Sequence, residues 1–406
     1  MTSLFTFSSI FNLIIFTLKH LNKQLQPTKD THMQKTVFDK ITLCNGRVSA
    51  PNRTMRSATW EWLAGPDGEM TPELAEMMLD LARHHVGIIS FSHCFVAKSG
   101  CACPKQLGIE TAAAAESYKK VVSEVKALGS VPMVQLAHGG RYSITGDPVD
   151  PSGLELTGVD GRPLAKCRAA TREDIERIVK EFCAAAVRAK EAGFEIIMIH
   201  SAHCYLLSQF LSPMYNRRTD EYGGSLENRA RLLLRVVREV KAAVGDDFPI
   251  AVKLNTEDTF PTGPTLRIEE SAQVAAWLAE AGVCFIEASG GGFGARFGAC
   301  RTGRDSVEGY HKEGARMWKK AIREAGFEGK TLVALVGGVR SRKAAEEFLN
   351  DGTCDIVSLS RPLIREPDLV DKWAEDPEYR GKCASCNKCF TLEKFGCIFN
   401  QRKKKN

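Results

Sequence analysis

Glu195-Ile-Ile-Met-Ile-His200-Ser-Ala-His203-Cys-Tyr205 is a short apolar run that ends in two imidazoles and a phenol. It leads on to Asn216-Arg-Arg-Thr-Asp-Glu-Tyr-Gly-Gly-Ser225-Leu-Glu-Asn-Arg229. A run this short, apolar until its polar exit, reads as a strand buried on both faces. The segment from Leu226 onward reads as a helix. Leu226, Ala230, Leu233, Val237, Val240 and Val244 recur at helical spacing and make one buried stripe. Ser225 is placed to cap its start and Gly245 its end. Together they form one βα unit with its chemistry at the strand exit.

The same unit recurs along the chain. Strands are expected at Thr54–Ala58, Val86–Ser90, Pro132–Leu136, Glu195–His200, Pro249–Leu254, Cys284–Ala288, Leu332–Val336 and Asp355–Leu359. Amphipathic segments separate them. One opens at Thr171-Arg-Glu-Asp174, a capping box with Asp in the acidic position, and closes at Gly193. Eight such units close a parallel sheet, so the fold class is α/β, a single (β/α)8 TIM barrel with a Cys-rich C-terminal extension. Residues 36–380 are the expected barrel. Residues 1–35 read as an N-terminal extension of unassigned role, and 381–406 as a Cys-rich segment with a basic tail. The long Gly146–Ala170 stretch after the third strand reads as a functional loop. No further βαβ module follows the eighth unit, so no separate NAD-binding domain is expected.

Composition narrows the class without naming a function. At 406 residues, 44% hydrophobic and 26% charged, the chain suits a decorated barrel. The net charge of +6 is dispersed apart from Arg402-Lys-Lys-Lys405, so no nucleic-acid partner is expected. The apolar stretch from Leu4 to Leu18 is interrupted by Asn12 and by Ser and Thr, and falls short of the ~20 residues a spanning helix needs. It also lacks the basic flank of a signal peptide and the arginines of a transit peptide. No membrane partner is expected, and a cytoplasmic location is, although that segment leaves targeting open. Met33 is a candidate start or processing point. The 14 cysteines are scattered, which favours reduced thiols over a disulfide framework.

Two ends of a cofactor site can be read from the residues. Gly337-Gly338 leaves the seventh strand toward a helix beginning near Ser341, and Ser360-Arg361 leaves the eighth. Glycines that admit an anion, a helix N-terminus and a cation at these two loops are the recurrent phosphate site of a TIM barrel. At the opposite end, the Gln135 amide both donates and accepts, which suits the alternating edge of a heterocycle. Lys253 lies in an apolar strand, where an unpaired ammonium is costly and so calls for a purpose. Two His and a Tyr at one exit suit a polarised carbonyl beside a proton donor. A metal is the rival use of the His pair, but no third ligand is evident nearby.

The His200-Ser-Ala-His203-Cys-Tyr205 stretch, the Gln209-Phe-Leu-Ser-Pro213 run and the Asn216–Arg229 segment closely resemble the signature of the Old Yellow Enzyme family, the FMN-dependent ene-reductases. Val134-Gln-Leu-Ala-His-Gly-Gly-Arg141 resembles a second family motif, and the likeness covers about residues 36–390. The resemblance implies FMN as cofactor and NAD(P)H as electron donor, working in a ping-pong cycle on α,β-unsaturated carbonyl compounds. It implies that His200 and His203 donate to the substrate carbonyl and that Tyr205 protonates the α-carbon. Ser57, Ala58 and Thr59 match the flavin-contacting turn, while Trp60 replaces the usual Thr or Cys. Gln135 and Lys253 match the groups at the flavin pyrimidine, with Ser92 a weaker candidate. Gly337, Gly338, Ser360 and Arg361 match the FMN-phosphate positions, with Ser360 where the family usually has Gly. The Gly290–Ala295 run reads as a wall of the substrate pocket, and its lack of a His counts against a dienoyl-CoA substrate.

Cys383, Cys386, Cys389 and Cys397 can ligate an iron–sulfur cluster or zinc, and they can equally be a structural thiol knot. Multidomain relatives carry a four-Cys cluster at the corresponding place, with different spacing. Two alternatives to a standalone ene-reductase therefore stay open: a flavin/iron–sulfur electron-transfer subunit working with a separate reductase, and a non-catalytic flavin-binding scaffold. A homo-oligomer is compatible with the sequence.

Overall fold

The structure is a computed structural model that describes residues 34–158, 161–260, 263–291, 307–390 and 395–403. Thr36–Asn406 form one compact unit.

Eight parallel strands close a barrel, in the order β3 (Thr54–Arg56), β4 (Ile88–Phe95), β5 (Val131–Ala137), β8 (Ile196–Ser201), β9 (Ile250–Asn255), β10 (Phe285–Ser289), β11 (Leu332–Val336) and β12 (Ile356–Leu359), which pairs back to β3. Each coincides with a strand expected from the sequence. The largest departure is β4, which runs on past Ser90 to Phe95 because a bulge interrupts its pairing with β5 between Phe91 and His93. The strands β6 (Val149–Asp150) and β7 (Arg168–Ala169) pair with each other inside the Gly146–Ala170 loop.

Side-chain alternation along the strands makes the site. One set of inward residues, Met55, Met133, Met198, Ala251, Phe285, Ala334 and Ile356, fills the barrel floor. Two positions further along the same faces stand Ser57, Gln135, His200, Lys253, Glu287 and Ser358, all buried. The interior thus changes from an apolar plug to a polar layer within one pleat.

The floor is sealed by an antiparallel hairpin, β1 (Ile41–Leu43) and β2 (Val48–Ala50), whose alternate residues Ile41, Leu43, Val48 and Ala50 join the apolar plug. Its turn needs left-handed backbone at Cys44, Asn45 and Gly46. One cysteine expectation is corrected here. Cys44 and Cys284 are disulfide-bonded, with Cα atoms 4.9 Å apart across 240 residues of sequence. The pairing arises because the hairpin folds back beneath the start of β10, a contact with no local sequence signal. The eleven other cysteines among the described residues are free.

Helices pack outside the strands. The helix Leu226–Val244 has Ser225 accepting from the Asn228 amide and Gly245 at φ 96 as its C-cap. Ala230, Leu233, Val237, Val240 and Val244 are all buried, each large side chain stabilising by ~1.5–3 kcal/mol. Thr171 and Asp174 form the expected reciprocal capping box of the helix Arg172–Glu191. Among the described residues, no helix is long and apolar enough to cross a membrane.

Candidate active site

The catalytic candidates meet at the rim of the polar layer. Beyond β8, His203 and Cys204 take up left-handed backbone at φ 58 and φ 61. Two such non-glycine residues in succession are strained, by ~1–3 kcal/mol each. The turn brings Tyr205 back over the strand end, where the helix Leu206–Leu211 begins. The His200 and His203 rings lie 5.1 Å apart, and Tyr205 stands edge-on to His200 at 5.1 Å. The His203 amide is held by Asn255 Oδ1 at 3.1 Å, and its Nε2 lies 2.8 Å from Ser289 Oγ. His200 Nδ1 is buried without a hydrogen-bond partner. The two rings are therefore not equivalent.

A third imidazole faces the same space. The bulge at Ser92, φ 34, brings His93 into register with Gln135 and turns it toward the site. The His93 ring is 5.8 Å from Tyr205 and edge-on to Trp60 at 6.0 Å. Sequence inspection missed His93, because strict alternation from Ser90 is broken by the extra residue. The Ser92 hydroxyl instead bonds the Thr59 carbonyl at 3.1 Å. Trp60 stacks on Trp62 with centroids 4.1 Å apart.

Burial sets the protonation states. His200 and His203 are both held well below the usual histidine range by burial, and further by neighbouring imidazoles and Lys253. His93 is pushed down to about 4 by burial and by Lys253. All three are neutral near pH 7, each with one N–H to offer. Burial raises the Tyr205 phenol well above its ordinary value, with Cys103 and Cys101 adding to the effect. It stays a proton donor.

Strand register places His200, Lys253 and Glu287 side by side on three adjacent strands. Lys253 Nζ donates to Ser57 Oγ at 2.7 Å and lies 3.0 Å from Glu287 Oε2. Gln135 Nε2 has only the Met198 sulfur, 3.1 Å away. Thr59 Oγ1 is 2.9 Å from Ser360 Oγ, which joins the exits of the first and eighth barrel strands, and Ala58 sits half-buried between Ser57 and Thr59.

At the other end, Gly338 adopts φ 72 and a Cβ there would come within 2.9 Å of the Tyr310 ring. Arg361 Nη2 reaches the Tyr310 hydroxyl at 3.1 Å, and its Nη1 bonds Asn387. Gly337, Gly338, Ser360 and Arg361 are thus brought to one corner, with the Gly337 carbonyl accepting from Gly309 N at 2.7 Å. The helix N-terminus is not open in the way expected from sequence. Arg340 N and Ser341 N donate to Glu308 Oε2 at 2.8 and 3.1 Å. That leaves the glycine loop and Arg361 as the candidates for holding an anion.

Two further motifs prove architectural. Arg141 is buried and donates to Asp150 at 2.8 and 2.5 Å, and to the Leu154 and Ala165 carbonyls at 2.6 and 2.9 Å. It staples the Gly146–Ala170 loop. In the Asn216–Arg229 segment, Asn216 holds the Phe210 and Tyr222 carbonyls, Arg218 holds Pro151 and Ala170, and Arg229 holds Leu211 and Glu270.

Among the described residues, no three His, Cys, Asp or Glu side chains are grouped as a metal ion requires, and this includes Cys383, Cys386, Cys389 and Cys397. Burial raises the Cys383 thiol and pushes Cys389 up to about 12, while Cys397 lies against Arg365. Most of Gly290–Ala295 lies outside the described residues.

A model of the NADH:flavin oxidoreductase/NADH oxidase family matches residues 37–378. The chain belongs to that family. Its members are FMN-dependent oxidoreductases with NADH or NADPH as donor. The chain is 34% identical to an NADPH dehydrogenase of Bacillus subtilis over 337 residues, 82% of this chain and 93% of the relative. It is 32% identical to an NADH oxidase of Thermoanaerobacter brockii over 362 residues, but spans only 52% of that longer protein. Among solved structures, an Old Yellow Enzyme homologue from Zymomonas mobilis superposes with a TM-score of 0.69 at 26% identity, covering 85% of this chain and 94% of that one.

The residues present fit the family's flavin. Ser90 Oγ and His200 Nδ1 are buried without partners, and Gln135 spends its amide on a thioether. Such a layer lacks the polar ligand that would satisfy it.

Proposed function

We propose that this chain binds FMN across the barrel mouth and reduces the C=C bond of α,β-unsaturated carbonyl compounds at the expense of NAD(P)H. One observation carries the reading: two neutral imidazoles and a protonated phenol converge beside a buried lysine and glutamine at the carboxyl ends of the strands.

In this reading Ser57, Ala58, Thr59, Gln135 and Lys253 hold the flavin ring, and Gly337, Gly338, Ser360 and Arg361 hold its phosphate. FMN, when bound, supplies the hydride, having taken it from NAD(P)H. His200 and His203 donate their N–H groups to the substrate carbonyl oxygen and stabilise the enolate that forms as the β-carbon is reduced. Neutral donors suit this task, because they give a hydrogen bond without giving up the proton. Ser289 orients the His203 ring. Tyr205 then delivers its proton to the α-carbon, and its raised pKa keeps that proton in place until the enolate calls for it. His93 and Trp60 wall the pocket beside Tyr205 and exclude water.

The test is direct. Purified protein supplied with FMN should take up one flavin per chain, be bleached anaerobically by NADPH or NADH, and be recoloured by 2-cyclohexenone with formation of cyclohexanone. A chain that binds no FMN, or whose reduced flavin is not reoxidised by any conjugated enone, would overturn the reading.

A further inference from the structure

Glu287 takes no part in the steps above, yet it is the most enclosed charged side chain of the polar layer. It lies on β10 with no exposed surface. Its Oε1 accepts from Ser57 Oγ and from Ser358 Oγ, each at 2.7 Å, and its Oε2 faces Lys253 Nζ at 3.0 Å. Ser57 Oγ in turn accepts from Lys253 at 2.7 Å. Four side chains from four parts of the barrel thus form one network, and the lysine at its edge is the group assigned above to the flavin pyrimidine.

We propose that Glu287 lowers the reduction potential of the bound flavin by opposing, with its own charge, the field of Lys253. The inference rests on the flavin reading given above. Two-electron reduction of FMN with uptake of one proton leaves a negative charge on the ring. A lone buried ammonium beside that charge would favour the reduced form strongly. A carboxylate 3.0 Å behind the ammonium turns its field into that of a dipole, which falls off faster with distance. Glu287 therefore holds the potential down and keeps the reduced flavin a ready hydride donor. The pair also locks the lysine in place, since its hydrogen bond to Ser57 and its ion pair with Glu287 leave little rotamer freedom.

A purely structural Glu287 would affect stability without ordering the potentials of a variant series. The variants Glu287→Gln, Lys253→Met and Lys253→Met/Glu287→Met are made, and the potential of FMN bound to each is measured against a reference dye. The double variant is chosen because replacing both partners of a buried ion pair by apolar side chains is often tolerated. The expected order runs from Glu287→Gln, the highest, through wild type and the double variant to Lys253→Met, the lowest. Glu287→Gln is expected to shift the reduced-to-oxidised ratio at fixed potential at least tenfold, ~30 mV for a two-electron couple. Fluorescence titration of FMN into Glu287→Gln apoprotein gives a second readout, with oxidised FMN, whose ring is neutral, binding within a few-fold of wild type. If Glu287→Gln does not fold, Lys253→Met and the double variant still decide, because removing Glu287 must raise the potential in the absence of the lysine too. A Glu287→Gln potential at or below wild type, or a double variant no higher than Lys253→Met, overturns the proposal. Wild-type protein that binds no FMN overturns the functional reading itself, a distinguishable result.

Discussion

His203 Nε2 and Ser289 Oγ lie 2.8 Å apart at the exits of two different strands, so the orientation of one donor imidazole is fixed by a residue on β10. A neutral hydrogen bond of this kind contributes ~1 kcal/mol. Ser289→Ala should therefore lower kcat/KM for an enone about five- to tenfold, mostly through KM, while leaving FMN content unchanged. Steady-state kinetics with cyclohexenone would check this, and an unaltered KM would remove Ser289 from the substrate site.

Tyr205 packs against His200 and His93 and retains its proton at every physiological pH. Tyr205→Phe should leave flavin reduction by NAD(P)H within about twofold of wild type. Reoxidation by enone should slow by ~100-fold or more, the usual size of a general-acid contribution. Anaerobic stopped-flow separates the two half-reactions. Equal losses in both would count against the proton-donor role.

His200 has a buried Nδ1 with no protein partner. His200→Ala should weaken the binding of phenols, whose oxygen would take the position of the substrate carbonyl, and raise the barrier to enone reduction by ~3 kcal/mol. Spectral titration with p-hydroxybenzaldehyde measures the first effect, and unchanged affinity would place the phenol elsewhere.

Acid should destabilise the fold through its buried imidazoles. In the unfolded chain each has a pKa near 6.5. In the fold, His93 is pushed down to about 4 and His138 to about 3, and His200 and His203 are lowered as well, in every case chiefly by burial. Between those values the unfolded state binds more protons, so stability rises with pH there. It is full above about pH 6.5 and is lost progressively as pH falls toward 4 and then 3. Thermal melts from pH 7.5 to 4 should show a falling Tm, and His138→Gln should flatten the slope. A Tm independent of pH across this range would contradict the buried neutral state.

Arg141 and Asp150 form a pair with almost no exposed surface. Breaking it with Asp150→Ala leaves a buried guanidinium and should cost ~3–5 kcal/mol. Urea unfolding measures the loss. A protease-sensitive Gly146–Ala170 loop should accompany it, because Arg141 also holds the Leu154 and Ala165 carbonyls.

The barrel was legible because each strand is an apolar run with a capped helix behind it. Thr171 with Asp174, and Ser225 with Gly245, show how local those signals are. The catalytic candidates were legible because His200, His203 and Tyr205 sit within six consecutive residues of one motif. What escaped was relational. Glu287 stands out in an apolar strand, but its partner depends on strand register. Cys44 meets Cys284 only once the hairpin has folded beneath the barrel. The charged residues of the Asn216–Arg229 segment carried the resemblance while mostly fastening loops, so a strong signature marked scaffold as well as chemistry.

The irregularity at Ser92 has a consequence for how such pockets diversify. One additional residue decides which side chain stands opposite Gln135 in the cavity: with the bulge it is the ring of His93, whereas unbroken pairing of the same residues would put the Ser92 hydroxyl there, with every other barrel strand untouched. The lining of the mouth can thus be re-selected by register alone, without altering the identity of any other residue that faces it.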